Sequence, residues 1–284
     1  MKRLRLSMGI LVLIAICALV GSSTGCNYAK MVLGKDKLNQ GVLLYNQGRN
    51  KEAKEFFKSA TEYMPDRAAP WLFYGAALSK DYKGLAGPER EKAAQAAIDV
   101  FKKALELAKG DCKLEENAMA YLSSIYDELG KEDDWREWMV KRAENQCADS
   151  KLKATVYHSI AVKYWQCAYD QTTRYADKGQ LAADAFHYRK MDYSEEARVD
   201  KAKVEACIAK GLENVEKSLA VDPEYADVLY YKGLLYREKQ KMTNVDADRK
   251  KFEAEAKKIA DQASEITKKK EAAAKAAATP TPAP

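Results

Sequence analysis

Residues 41–65, GVLLYNQGRNKEAKEFFKSATEYMP, carry the pattern that decides the fold. Gly41 leads by twelve residues to Ala53, by four more to Phe57, by three more to Ala60 and by five more to Pro65. Residues three and four apart are neighbours on a helix surface, so Ala53, Phe57 and Ala60 share one face. Small residues on that face let a second helix approach closely, and Phe57 fills the space between the two. Gly48 and Asn50 supply the turn between a first helix over 36–47, with Leu38, Val42 and Tyr45 on one face, and a second over 51–63. Pro65 then stops the second helix, as a proline just past a C-terminus does.

The same ruler runs along the chain. A second hairpin starts with Trp71, Tyr74, Gly75 and Leu78, is interrupted by DYKGLAGPEREK, and resumes with Ala97, Phe101 and Ala104. A third keeps Leu122, Tyr126 and Gly130 but places Trp135, Met139 and Arg142 on its second helix. The fourth has Tyr157, Ile160, Ala161 and Tyr164, a long polar insertion over about 170–198, and then Gly211, Val215, Ser218 and Pro223. The fifth has Leu229, Gly233 and Tyr236, an insertion over about 242–248, and then Ala256, Ala260 and Ala263. The interruption of roughly ten residues in the second hairpin admits two readings, a loop on one face or an extension of both helices.

Over 34–267 this spacing resembles the tetratricopeptide repeat family, whose unit is a helix hairpin of about 34 residues. The resemblance implies an all-α, superhelical stack of about five antiparallel hairpins with insertions, and a binding scaffold. The stretches IAVKYWQCAYD and ADVLYYKGLLYREKQ are also similar to bacterial secreted repeat proteins. Composition agrees with the fold class. Among 284 residues there are only 14 glycines and 7 prolines, and no segment alternates clearly as a strand does.

The formal charge of +6 does not mark a nucleic-acid binder. Lys2, Arg3 and Arg5 supply half of it, and four lysines against Glu271 after Thr267 supply the other half, so the body between them is close to neutral. A neutral surface of interspersed signs is a solvated helical surface, not a phosphate-binding stripe.

Residues 1–25 have a basic start, an apolar run from Met8 to Val20 and the small residues GSSTG before Cys26. This is the layout of a secretory signal peptide, and its apolar run is short for a membrane span of about 20 residues. Ser23 to Cys26 resemble a bacterial lipobox, with Ser23 where the family usually has Leu. The resemblance implies a lipidated Cys26 and membrane anchoring on the periplasmic side, at the outer membrane because Asn27 is not Asp. Cleavage to a free soluble product and an uncleaved anchor are the competing readings. Residues 26–33 are then read as a lipidated tether and 268–284 as a basic, Ala/Pro-rich tail. The Ala/Lys part of that tail can prolong the last helix, and its tip from Thr279 has no helical pattern.

Outside the signal and lipid site stand Cys112, Cys147, Cys167 and Cys207, an even number in an exported chain. The repeat register puts Cys112 and Cys147 at the open ends of the third hairpin, and Cys167 and Cys207 at the closed end of the fourth. It therefore favours those two pairs of the three connectivities, with buried free thiols as the alternative. Their spacing is unlike paired Cys-x-x-Cys, and His158 and His187 are far apart in sequence, so no metal is expected.

No phosphate loop, nucleophile elbow or His-Glu-x-x-His helix is present. Glu115 with Glu116, and Glu195 with Glu196, read as solvated surface. Neither catalytic residues nor a cofactor are expected. First helices line the concave side of such a stack, which nominates Leu38, Val42, Tyr45 and Asn46, then Leu72 and Ala76, then His158, Val162 and Trp165, then Tyr230, Leu234 and Arg237 for a protein or peptide partner. Each of these side chains has the alternative of packing against a neighbouring hairpin. Leu38 and Val42 stand where clamps for chaperone C-termini carry Lys and Asn, which tells against a carboxylate clamp. The sequence thus suggests a membrane-anchored periplasmic adaptor, similar in architecture to the repeat lipoprotein of the outer-membrane β-barrel assembly machine and to type IV pilotins. The alternative is a structural envelope protein that joins membrane to cell wall through its basic tail.

Overall fold

A computed structural model describes residues 27–173 and 200–278. The signal segment, Cys26, His187, Glu195, Glu196, most of the fourth hairpin's insertion and the tip from Thr279 lie outside the described residues. Within them the chain is helical throughout and contains no strand. The helices are α1 (27–46), α2 (Asn50–Tyr63), α3 (Ala68–Lys83), α4 (Gly87–Leu107), α5 (Cys112–Glu128), α6 (Glu132–Glu144), α7 (Ser150–Thr173), α8 (Lys201–Val221), α9 (Ala226–Met242) and α10 (Asp246–Ala278).

Local chemistry sets their ends. Gly48 and Gly130 follow α1 and α5 with φ of 77° and 69°, the left-handed conformation that glycine adopts without a Cβ penalty. Beyond them the Arg49 and Lys131 N–H groups return to the Leu44 and Tyr126 carbonyls at 2.9 Å each. Asp111, Asp149 and Asp200 accept from the N–H groups of Leu114, Leu152 and Lys203 at 3.1, 2.7 and 2.9 Å, capping α5, α7 and α8. Pro88 sits in the first turn of α4, where its missing N–H costs no helical bond.

The chain forms two compact units, Met1–Trp138 and Met139–Pro284, divided within α6. In the first, α2 packs on α3, α3 on α4, α4 on α5, and α3 also meets α5. The ruler's residues make the hairpin contacts. Ala53, Phe57 and Ala60 of α2 are fully buried, as are their counterparts Ala97, Phe101 and Ala104 of α4. A Cβ added at Gly41 would lie 2.6 Å from the Phe57 ring, and one at Gly75 would lie 2.8 Å from the Phe101 ring. Each glycine is therefore the notch into which its hairpin's phenylalanine fits, and the helices are tetratricopeptide-like hairpins.

In the second unit α7 packs on α8, α8 on α9, α9 on α10, and α7 also meets α9. Ala161, Val215, Val228 and Leu235 form one buried cluster, and Leu229, Ile259 and Ala263 form another. Here the register positions of Phe57 and Phe101 hold Val215 and Ala260. Close approach comes instead through Gly211, where a Cβ would lie 2.8 Å from Leu235, and through Gly233, where it would lie 3.4 Å from the Ala256 carbonyl oxygen. Cys167 of α7 and Cys207 of α8 form a disulfide with Cα atoms 6.1 Å apart, the pairing that the register favours, rather than free thiols.

Several sequence expectations change. The helix expected from residue 36 is already running at 27, so the expected tether over 26–33 is helical from 27 onward. The interruption at 81–92 is an extension of both helices, because only residues 84–86 separate α3 from α4. Residues 243–245 alone separate α9 from α10, and the Ala/Lys part of the tail does continue the last helix, to Ala278. Glu115 is buried rather than solvated, and its Oε1 accepts the Gly110 N–H at 2.8 Å beside the Asp111 cap. Among the described residues no helix is long and apolar enough to cross a membrane.

Candidate binding face

In the second unit, α7 and α9 build an aromatic face. His158 lies between Tyr225 and Tyr231, with ring centroids 5.1 and 5.3 Å away, and Trp165 lies between Tyr169 and Tyr231 at 5.1 and 5.4 Å. The edge-to-face contacts of His158 with both tyrosines and of Trp165 with Tyr231 suit ring quadrupoles, which oppose face-to-face sandwiches. Tyr230 meets Tyr231 edge-on at 5.8 Å and is itself 54% exposed. Trp165 rests on the Ala161–Val215–Val228–Leu235 cluster, so the face is fixed to the core beneath it. Val162, Leu234 and Arg237 are half-buried on the same helices.

Two ring nitrogens on this face stand out. The Tyr225 hydroxyl lies 3.3 Å from His158 Nδ1, whereas His158 Nε2 and Trp165 Nε1 are buried without a hydrogen-bond partner among the described residues. Burial pushes the His158 imidazole below its ordinary value, against a smaller opposing pull from the Asp227 carboxylate. The ring is therefore held neutral near pH 7.

Below the face lies a polar group that the sequence reading missed. The Thr172 hydroxyl donates to Glu238 Oε2 at 2.5 Å, and Lys241 Nζ donates to Glu238 Oε1 at 2.7 Å and to Thr172 Oγ1 at 3.2 Å. Glu238 and Lys241 are each 2% exposed, and the Lys241 ammonium sits 5.0 Å from the Tyr169 ring centroid. Desolvation lowers the Lys241 pKa, and the Glu238 carboxylate opposes that shift.

The first unit offers a different face. Tyr45 is half-buried 6.2 Å from Phe57, and Tyr121 stacks on Phe101 at 4.6 Å. Burial raises the pKa of both tyrosines, most strongly opposed at Tyr45 by Lys83 and at Tyr121 by Lys80 with Lys83. Tyr45, Lys80, Lys83 and Tyr121 thus share one electrostatic neighbourhood across α1, α3 and α5. Lys83 is held by Glu128 at 2.8 Å, and the buried Tyr82 hydroxyl donates to the same carboxylate at 2.8 Å.

The nominated groove residues divide accordingly. Asn46 and Tyr230 are exposed; Leu38, Val42 and Tyr45 are half-buried against the Leu44–Ala53–Phe57–Ala77 core. Leu72 and Ala76 are each 6% exposed and belong to the core, which removes them from the groove. The aromatic side chains Tyr169, Tyr225 and Tyr231 and the basic Lys80 were missed. Their signal was present, since Tyr231 adjoins Tyr230 and Tyr169 follows Trp165 by one helical turn.

Among the described residues no three His, Cys, Asp or Glu side chains gather as a metal site. No family model matches this chain, and no curated protein does. Among solved structures it is similar to a MamA RS-1 ArsTM double mutant, with 16% identity over 84% of this chain and 97% of that one, at a TM-score of 0.47. It is also similar to YrrB, a tetratricopeptide protein with an unusual peptide-binding site, at 15% identity over 82% and 90% with a TM-score of 0.42. A structure of MamA protein gives 14% identity over 91% and 98%, with a TM-score of 0.42. With identities of 14–16% and TM-scores below 0.5 these likenesses carry no argument, and the repeat register of this chain stands on its own glycine–phenylalanine contacts.

Proposed function

We propose that the protein is a non-catalytic adaptor, anchored through a lipid on Cys26 at the periplasmic side of the outer membrane, that binds a protein partner on the α7–α9 aromatic face. The observation that carries the partner role is the exposed Tyr230 beside a packed His158–Tyr225–Tyr231–Trp165–Tyr169 cluster. Tyrosine and tryptophan side chains supply large contact areas at low entropic cost and dominate interface energetics. The cluster is seated on the core, so little ordering is left for binding to require. Membrane anchoring is supported by the signal layout and the residues before Cys26.

Tyr230→Ala tests the face with little risk to the fold, because the side chain is half out of the protein. The substitution is expected to lower the captured amount of a crosslinked partner at least tenfold in cells while the melting temperature stays unchanged. Undiminished capture would place the partner elsewhere.

The envelope-linking alternative relies on free basic residues in the tail. Lys270 Nζ donates to the Glu224 carbonyl at 2.6 Å, and Lys269 Nζ lies 3.6 Å from the Glu224 carboxylate, so two of its lysines are turned to the protein's own surface. Deleting residues 268–284 is expected to leave envelope retention of a lipid-free form unchanged.

A further inference from the structure

The first two turns of α1 carry an exposed apolar cluster that the core does not use. Tyr28 is 66% exposed, Val32 47% and Leu33 46%. The next residue, Gly34, is packed so closely that a Cβ there would lie 2.6 Å from Met64. Helix α1 is therefore fitted to the protein from Gly34 onward, while the turns before it present apolar side chains to solvent. A groove of about 570 Å³ opens beside them, lined by Tyr28, Lys30, Met31, Tyr63, Met64 and Arg67 among others. Singly scattered apolar residues are ordinary on a protein surface, but neighbouring ones mark a contact.

We propose that residues 27–33 lie in the headgroup layer of a lipid bilayer as a second attachment beside Cys26. The inference rests on the anchoring reading given above. Its support is sequence position: Cys26 directly precedes residue 27, which is already helical, so a lipid there leaves no linker between bilayer and helix. At about 1.5 Å per residue, Leu33 lies only roughly 10 Å along the axis from Cys26, so all of 27–33 stays beside the bilayer surface that a lipid on Cys26 would enter. Tyrosine suits that boundary because its ring is apolar and its hydroxyl polar. Charge is complementary as well, since residues 27–37 hold Lys30, Lys35 and Lys37 against Asp36 alone, a basic excess that anionic headgroups attract.

Leu43 supplies an internal control, being 60% exposed on the same helix but roughly 25 Å from Cys26. The full chain, produced in cells as Val32→Cys or as Leu43→Cys, would be reconstituted into vesicles of phosphatidylethanolamine and phosphatidylglycerol and nitroxide-labelled. The unsubstituted chain gives the background labelling. The label at 32 is expected to be shielded from a water-soluble nickel complex at least fivefold more than the label at 43, and to be relaxed more strongly by oxygen. Protein that floats with the vesicles but shows equal nickel access at both positions overturns this surface alone. Protein that does not float overturns the anchor and the surface together.

Discussion

The two units follow one register with different means of filling it. In the first, Phe57 and Phe101 fit against Gly41 and Gly75, and the flanking alanines are fully buried. In the second, the same positions hold Val215 and Ala260, and the missing ring volume is offset by glycines that bring helices closer, by the Cys167–Cys207 bond and by a buried Glu238–Lys241 pair. A hairpin stack thus has two routes to a dense interior, a large side chain in a notch or closer backbones held by a crosslink. The second route leaves polar groups inside and aromatic rings outside, and the candidate partner face lies in that unit.

The largest expected effect is on the first unit. Phe57→Ala should cost about 4 kcal/mol and Val215→Ala roughly 2 kcal/mol, because the ring leaves the larger cavity. Hydrogen exchange read by mass spectrometry should show the loss confined to the substituted unit, and equal losses would break the contrast. Next, replacing Cys167 and Cys207 together by Ser should destabilise the second unit by about 3–4 kcal/mol, the chain-entropy expectation for a loop of 40 residues. Denaturant unfolding of oxidised and substituted protein measures it. Removal of one buried charge by Lys241→Met should cost about 3 kcal/mol, whereas Lys241→Met with Glu238→Leu should restore most of it, because a lone buried carboxylate is worse than none. A double-mutant cycle in urea separates these outcomes.

The smallest effect concerns pH. The His158 imidazole is held below its ordinary value by burial, so the unfolded chain takes up its proton first as pH falls. Stability of the second unit should decline as pH drops through about 6.5 and level off below the folded pKa. His158→Gln should flatten that decline in thermal melts taken across the range; an unchanged slope would mean another group is responsible.

The hairpins were legible because their contacts are local in register: Gly41 and Phe57 meet through a fixed spacing, and Gly75 and Phe101 meet at the same spacing lengthened by the helix extension. That extension was ambiguous because Gly84, Gly87 and Pro88 suit a loop as well as a helix start, and proline in a first turn reads alike in either case. The site was less legible. Glu238 and Lys241 are spaced as a solvent-exposed ion pair would be, and nothing nearby in sequence shows that α7 covers them with Thr172. Leu72 was assigned to the groove by its place on a first helix, but it is buried in the helix packing. Glu115 looked like surface charge because a carboxylate that caps its own helix carries no distinguishing neighbour except Asp111.

The central claim, that the α7–α9 aromatic face is where a partner sits, is tested most directly by a photocrosslinking side chain placed at position 230 in living cells, beside one at the exposed Lys257 of α10. The account predicts one discrete adduct from position 230 and none of that mass from position 257. The same adduct from both positions in equal yield, or from 257 alone, would contradict it.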